Sequence, residues 1–239
     1  MPVAAHRTVR AAAPPLAARL AWLLPRGLCQ LCALPSGEPL CPACLAQYFG
    51  DGGPRCPRCA LHAPCGACAL APPRFVRALT LGDYAPPLDR LVERLKFGAQ
   101  PQLGRWLGTQ LARRWAAARL PLPHGVVAVP LAAGRLRERG YNQAWEIARG
   151  FATALRLRAD AAALARCRDT AAQSTLPRAA RAANVRGAFS ACVRSGARVL
   201  LVDDVMTSGC TLDAAAAALL RAGAAEVGVA VALRTPRPD

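Results

Sequence analysis

Val199-Leu200-Leu201-Val202-Asp203-Asp204-Val205-Met206-Thr207-Ser208-Gly209-Cys210-Thr211-Leu212 is the stretch on which the fold turns. Its first part, with Arg198, is a near-continuous apolar run over 198–202, the pattern of a strand covered on both faces. The run delivers two carboxylates, and a hydroxyl- and glycine-bearing turn then opens a helix predicted over Leu212–Arg221 and closed by Gly223. In open α/β sheets, ligands bind at this carboxyl edge. Backbone N–H groups at a helix start, helped by Ser and Thr hydroxyls, cradle phosphate, and a glycine lets the chain approach it closely. Two carboxylates repel a phosphate, but they accept hydrogen bonds well from a vicinal diol. The stretch therefore fits a sugar phosphate, with ribose hydroxyls on Asp203 and Asp204 and the 5′-phosphate on Thr207, Ser208, Gly209, Cys210 and Thr211. Strand residues alternate sides, so both acids can serve one ribose only if the strand ends at them, as the following turn suggests. The chain has no GxxxxGK[ST] and no GxGxxG after a strand, which argues against nucleotide-triphosphatase and dinucleotide folds.

Around this stretch the pattern is α/β. Phe75–Tyr84 reads as a strand or hairpin, Leu88–Phe97 and Leu103–Leu120 as amphipathic helices, and Gly125–Pro130 as a short buried strand. An Arg- and Gly-rich loop follows, then a helix over Tyr141–Leu157 and a last strand over Glu226–Leu233. Strand–helix alternation of this kind predicts a parallel sheet flanked by helices. The stretch between, Arg166 to Asn184, is polar with few apolar anchors.

Upstream the composition changes. Eight of the 11 cysteines form four CxxC knuckles, Cys29/Cys32, Cys41/Cys44, Cys56/Cys59 and Cys65/Cys68. Two residues between thiols let both sulfurs of a tight turn face one ion, so eight thiols suit two structural zinc ions with closed, non-catalytic coordination. Sequential pairing of the knuckles needs only short loops; interleaved pairing is the alternative, and disulfides in an exported chain are the competing chemistry. Some forty residues cannot build a self-sufficient core, so this segment needs such a staple. His62 lies between the last two knuckles, and with eight thiols available it is not needed as a ligand. The Ala71-Pro72-Pro73 stretch marks a boundary. The expected organisation is a tail with a short helix over 1–27 (Leu16, Leu20, Leu23 and Leu24 on one face), a cysteine module over 28–72 and an α/β domain over 73–239. Arg19 and Pro14-Pro15 interrupt the apolar part of the tail, against a signal peptide.

The chain has 239 residues, with 31 Lys+Arg against 14 Asp+Glu, a formal net charge of +17. Such a balance favours polyanions, yet all the basic residues but Lys96 are arginines scattered over many elements, without a basic stripe. No run of some 18 uncharged apolar residues exists, so no bilayer-spanning helix is expected.

The Val199–Leu212 stretch resembles the phosphoribosyl pyrophosphate (PRPP) loop of type I phosphoribosyltransferases. The chain from Leu23 onward resembles the ComF/GntX family, a double zinc ribbon fused to a type I phosphoribosyltransferase-like domain. The resemblance is carried by the knuckles, Asp83-Tyr84-Ala85-Pro86-Pro87-Leu88, Leu95-Lys96-Phe97, Val129-Pro130-Leu131, Arg139-Gly140-Tyr141-Asn142-Gln143, and the spaced set Arg166, Thr170, Gln173, Leu176, Arg181, Asn184 and Gly187-Ala188-Phe189. It implies that Asp203 and Asp204 take the ribose and Thr207 to Thr211 the 5′-phosphate. Pro130, Leu131, Arg135 and Arg139 fall on the pyrophosphate side, where Mg²⁺ normally bridges pyrophosphate and ribose oxygens. Tyr141, Asn142, Gln143, Thr170, Gln173, Arg181 and Asn184 fall where a lid or acceptor pocket is expected. The family pattern usually has Gly where Ala60 stands after Cys59, and Cys210 is a less usual phosphate-loop residue. What the resemblance implies overall is Mg-dependent phosphoribosyl transfer to an unknown acceptor, in the cytoplasm or at the inner face of the membrane. The other implied role is a non-enzymatic one in natural transformation, as a PRPP sensor or binder of single-stranded DNA or of DNA-uptake proteins.

Overall fold

A computed structural model describes residues 27–50, 53–63, 65–168, 185 and 187–237. The predicted N-terminal helix and Thr170, Gln173, Arg181 and Asn184 lie outside the described residues. The elements, in chain order, are α1 (Pro42–Phe49), α2 (Ala67–Leu70), β1 (Arg77–Asp83), α3 (Asp89–Phe97), α4 (Pro101–Ala117), β2 (Gly125–Ala128), α5 (Ala133–Arg139), α6 (Gln143–Ala154), β3 (Ala159–Asp160), β4 (Leu164–Arg166), β5 (Phe189–Ala191), β6 (Arg198–Met206), α7 (Cys210–Arg221) and β7 (Glu226–Arg234).

Five strands form one sheet in the order β1-β7-β6-β2-β3, with every neighbouring pair parallel. The apolar run of β6 explains its central place: Val199 and Leu201 face one layer, Leu200 and Val202 the other, and none is more than 4% exposed. The first layer is α7 with the antiparallel β4–β5 hairpin; the second is α3, α4 and α6. Helices α4 and α6 cross almost backbone to backbone. A Cβ on Gly108 would stand 2.0 Å from the Ile147 carbonyl oxygen, and one on Gly150 2.0 Å from that of Arg105. Chain leaving β2 turns toward β3, whereas chain leaving β6 turns the other way to β7. The crevice beyond the carboxyl ends of β2 and β6 is therefore the topological switch point, where open α/β sheets bind ligands.

Two expectations are corrected here. The Arg- and Gly-rich segment after β2 is not a loop but the helix α5, stopped by Gly140 in the left-handed region (φ 76°). Nor does β6 end at the acids: it continues through both to Met206, paired with β7. What changes is its facing. Alternation from Val199 to Val202 would put Val205 under α7 and Met206 under α3 and α4, but Val205 packs on the α3/α4 side and Met206 on the α7 side. Neighbouring β7 slips likewise, with Ala232 and Leu233 both on the α3/α4 side, so the ladder keeps its offset. The alternation thus fails at the acid pair itself, and β2 stops alongside Val202, leaving that edge of β6 uncovered by strand.

The cysteine segment packs beside β1, whose Ala78 N–H donates to the Pro57 carbonyl (2.9 Å). Both of its leading knuckles make the same turn: Cys29 N–H donates to the Leu34 carbonyl (2.8 Å) and Ala33 N–H to that of Cys29 (2.9 Å), as Cys56 N–H does to Leu61 (2.7 Å) and Ala60 N–H to Cys56 (2.9 Å). Ala33 and Ala60 close these turns at φ 59° and 56°. The second knuckle sits on the carboxyl ends of β1 and β7. Arg55 and His62, bridged to each other beside it, hold the two carboxylate oxygens of Asp83 at 2.9 and 2.7 Å. Arg114 of α4 donates to the carbonyls of Thr80 (2.8 Å), Leu81 (2.9 Å), Gly50 (2.8 Å) and Phe49, joining the sheet edge to the chain leaving α1.

Candidate functional site

Beyond the ends of β2 and β6 lies a cleft of about 410 Å³ lined by Asp203, Asp204, Thr207, Ser208, Gly209 and Thr211 from the β6–α7 connection. Opposite them stand Pro130, Leu131, Arg135 and Arg139 from the β2–α5 side, with Asn142 and Gln143 at the start of α6. The size suits a small polar ligand. The break in alternation lets consecutive acids line the same space.

Each acid is steadied locally. Asp203 Oδ1 accepts from the Asp204 N–H (2.8 Å), and Asp204 Oδ1 from that of Val205 (2.7 Å). Asp204 Oδ2 also meets Lys96 Nζ at 3.0 Å. Burial, and then the neighbouring Asp204 charge, hold the Asp203 carboxyl well above the ordinary carboxylate range. Gly209 caps α7 at φ 83°, a conformation that costs a residue with a Cβ about 1–2 kcal/mol. The Ser208 hydroxyl accepts from the Cys210 N–H (3.4 Å), while the Cys210 side chain lies in a second cavity behind the turn.

The α5 face supplies positive charge one helical turn apart. Arg139 stacks over the Phe97 ring, 5.4 Å from its centroid. Burial and the neighbouring Arg135 hold its guanidinium below the usual range. A cation crowded by another cation is stabilised when an anion arrives. Asn142 caps α6: its Oδ1 accepts from the Ala144 N–H (3.0 Å) and its Nδ2 donates to the Val129 carbonyl (3.0 Å), locking α6 to the end of β2. Tyr141 is placed differently, its hydroxyl donating to the Leu95 carbonyl in the wall beneath α3.

Three polar or charged cleft residues were not singled out as site residues by sequence: Lys96, Tyr84 and Arg166. Lys96 had a signal, being the sole lysine among 31 basic residues. Its position at the end of α3, in ion-pair contact with Asp204, needed the fold.

The cysteines form two groups, Cys29/Cys32/Cys41/Cys44 and Cys56/Cys59/Cys65/Cys68, the sulfurs of each within 4.8 Å of one another. The pairing is sequential. Tetrahedral zinc with sulfurs at ~2.3 Å sets them ~3.8 Å apart, and Cys32–Cys41 stand at 3.7 Å and Cys59–Cys65 at 3.5 Å. The groups could hold zinc ions. Backbone N–H donation from Cys68 draws the Cys65 thiol down to about 7, and burial pushes Cys44 up to about 12. His62 is committed to Asp83 and ligates neither group.

Residues 172–238 match the family model of the phosphoribosyl transferase domain. The chain is 36% identical over 222 residues to the "DNA utilization protein YhgH" of Escherichia coli, an alignment covering 87% of this chain and 97% of that one. The chain belongs to the ComF/GntX family. A second member, "Competence protein F" of Haemophilus influenzae, is 32% identical over 207 residues, covering 80% of this chain and 88% of its own. Among solved structures, this ComF/GntX chain is similar to the glutamine PRPP amidotransferase of B. subtilis, with TM-score 0.38 and 28% identity over 54% of this chain and 25% of that enzyme. No helix among the described residues is long and apolar enough to cross a membrane.

Proposed function

We propose that the cleft binds PRPP and that the protein transfers its phosphoribosyl group to an acceptor. The observation that supports this most is the meeting, in one space, of paired acids on the β6 edge, a glycine-capped hydroxyl turn, and the arginines of α5. Asp203 and Asp204 accept from the ribose 2′- and 3′-hydroxyls. Thr207 to Thr211 enclose the 5′-phosphate with N–H and hydroxyl donors, and Arg135 and Arg139 face the pyrophosphate, which arginine binds bidentately. In the transfer the bond from ribose C1 to pyrophosphate oxygen breaks as a bond to the acceptor forms, through an oxocarbenium-like sugar whose leaving group these cations stabilise. The carboxylates of Asp203 and Asp204 are hard oxygen donors that would suit Mg²⁺, which would offset the charge of the leaving group. Zinc in the two cysteine groups completes the fold and takes no part in the chemistry.

The relatives named for DNA utilization and competence support a place for this activity in DNA uptake or use. A second reading, as a single-strand DNA binder, draws on a groove of about 660 Å³ between the second cysteine group and α7, rimmed by Arg74, Arg221 and Arg237. Incubation with PRPP, Mg²⁺ and a panel of nucleobases and amines separates the two. Pyrophosphate release that requires one acceptor supports transfer, whereas salt-dependent strand binding without turnover supports the second reading.

A further inference from the structure

Arg234 ends β7 and is, with Glu146, a buried charge among the described residues, 5% exposed. Its guanidinium gathers backbone carbonyls from two separate parts of the chain. Nε donates to the carbonyl of Cys59 (2.9 Å), in the second cysteine group. Nη1 donates to Met206 (2.7 Å), Thr207 and Thr235 (3.0 Å), the first two at the entry to the hydroxyl turn. The backbone repeats the link, since Thr235 N–H donates to the Met206 carbonyl (3.0 Å) and Tyr84 N–H to that of Arg234 (2.8 Å). On the far side, one cavity is walled jointly by Cys59 and Cys68 and by Ser208, Gly209 and Cys210. The first cysteine group is seated elsewhere: Cys29, Cys41 and Cys44 belong to the large core under α3 and α4, while Cys56, Cys59 and Leu61 form a small core of their own.

We propose that Arg234 is a positioning residue through which the second cysteine group governs the order of the 207–211 turn. With a metal bound by Cys56, Cys59, Cys65 and Cys68, the Cys59 carbonyl is fixed and Arg234 holds the Met206 and Thr207 carbonyls inward, so that the following N–H groups face the cleft. When that group is empty, the Cys59 anchor loosens and the turn frays. The consequence for ligand affinity rests on the reading of the turn as the phosphate cradle; the coupling itself does not.

Hydrogen exchange on the full zinc-loaded chain tests it, with zinc per chain measured alongside. Cys65→Ser and Arg234→Met should each speed exchange of the 207–211 amides about tenfold or more and weaken PRPP·Mg²⁺ binding to a similar degree. Cys32→Ser, in the first group, should leave these amides within about twofold of the parent. Amides of Leu200 to Val202 serve as the reference for a folded sheet and should not change. Unaltered 207–211 protection in Arg234→Met, equal loss in Cys32→Ser, or loss spread through Leu200–Val202 would overturn the coupling. The expected exchange pattern in a chain with no affinity for PRPP would uphold the coupling and overturn the phosphoribosyl reading instead.

Discussion

Asp203 is a residue whose carboxylate costs the fold stability. Its carboxyl is held above the ordinary range by burial and by Asp204. For an acid whose folded pKa exceeds its unfolded one, stability is greatest below the unfolded value and is lost as pH rises through the folded value. Asp203→Asn should therefore raise the melting temperature at pH 7, by about 2–4 °C for each kcal/mol relieved, and the gain should vanish below about pH 4. A melting temperature unchanged at pH 7 would contradict the strained carboxylate. Ala33 offers the reverse case. It is an exposed residue in a left-handed turn (φ 59°), so Ala33→Gly should stabilise the first knuckle by about 1 kcal/mol, seen as a higher melting temperature. Ala60 carries the same geometry at φ 56°, which explains why the family pattern favours Gly there and why Ala is tolerated at a cost. The residues of the hydroxyl turn were legible because their chemistry is local. That both acids share one cleft was expected, but not by what means, since the strand runs on past them and they meet through a shared slip of β6 and β7 that no single strand's pattern carries.

At the scale of elements, long periodic segments were readable and short ones were not. The predicted helix over Leu103–Leu120 forms as Pro101–Ala117, and Arg198–Val202 extends to Met206. The strands β3, β4 and β5 span two or three residues each, too few to show a period. Helix α5 was hidden because Ala133-Gly134-Arg135 lacks apolar anchors, although Gly140 at its end is a stop signal in its own right. The crossing of α4 and α6 was invisible too, as nothing in either helix announces its partner. It makes a sharp prediction: Gly150→Ala places a methyl against the Arg105 carbonyl and should cost about 3 kcal/mol, the upper end for overpacking, measured by denaturant unfolding. A cost under about 0.5 kcal/mol, the range of an indifferent surface site, would mean that the helices do not meet there.

In the molecule as a whole, the carboxyl ends of β1 and β7 are shared with the second cysteine group. Asp83 is the weld. Burial opposes its ionisation, but Arg55 and His62 together hold its carboxyl below the usual range. A lowered folded pKa contributes stability above the unfolded value and loses it as pH falls through the folded one. Asp83→Asn should thus cost about 1 kcal/mol at pH 7, with the difference from the parent closing as pH drops below about 4; an equal cost at pH 3 would contradict an ionic weld. The eight thiols announced metal groups by spacing alone, while the seat of the second group on β1 and β7 came only from the fold. The central claim, that the switch-point cleft holds a phosphorylated pentose, is tested most directly by calorimetric titration of the intact zinc-loaded chain with PRPP in Mg²⁺. Saturable one-to-one binding that disappears in Asp203→Ala/Asp204→Ala, while that variant still melts cooperatively, is the predicted result. No binding heat in the parent chain, or full affinity in the double variant, would contradict it.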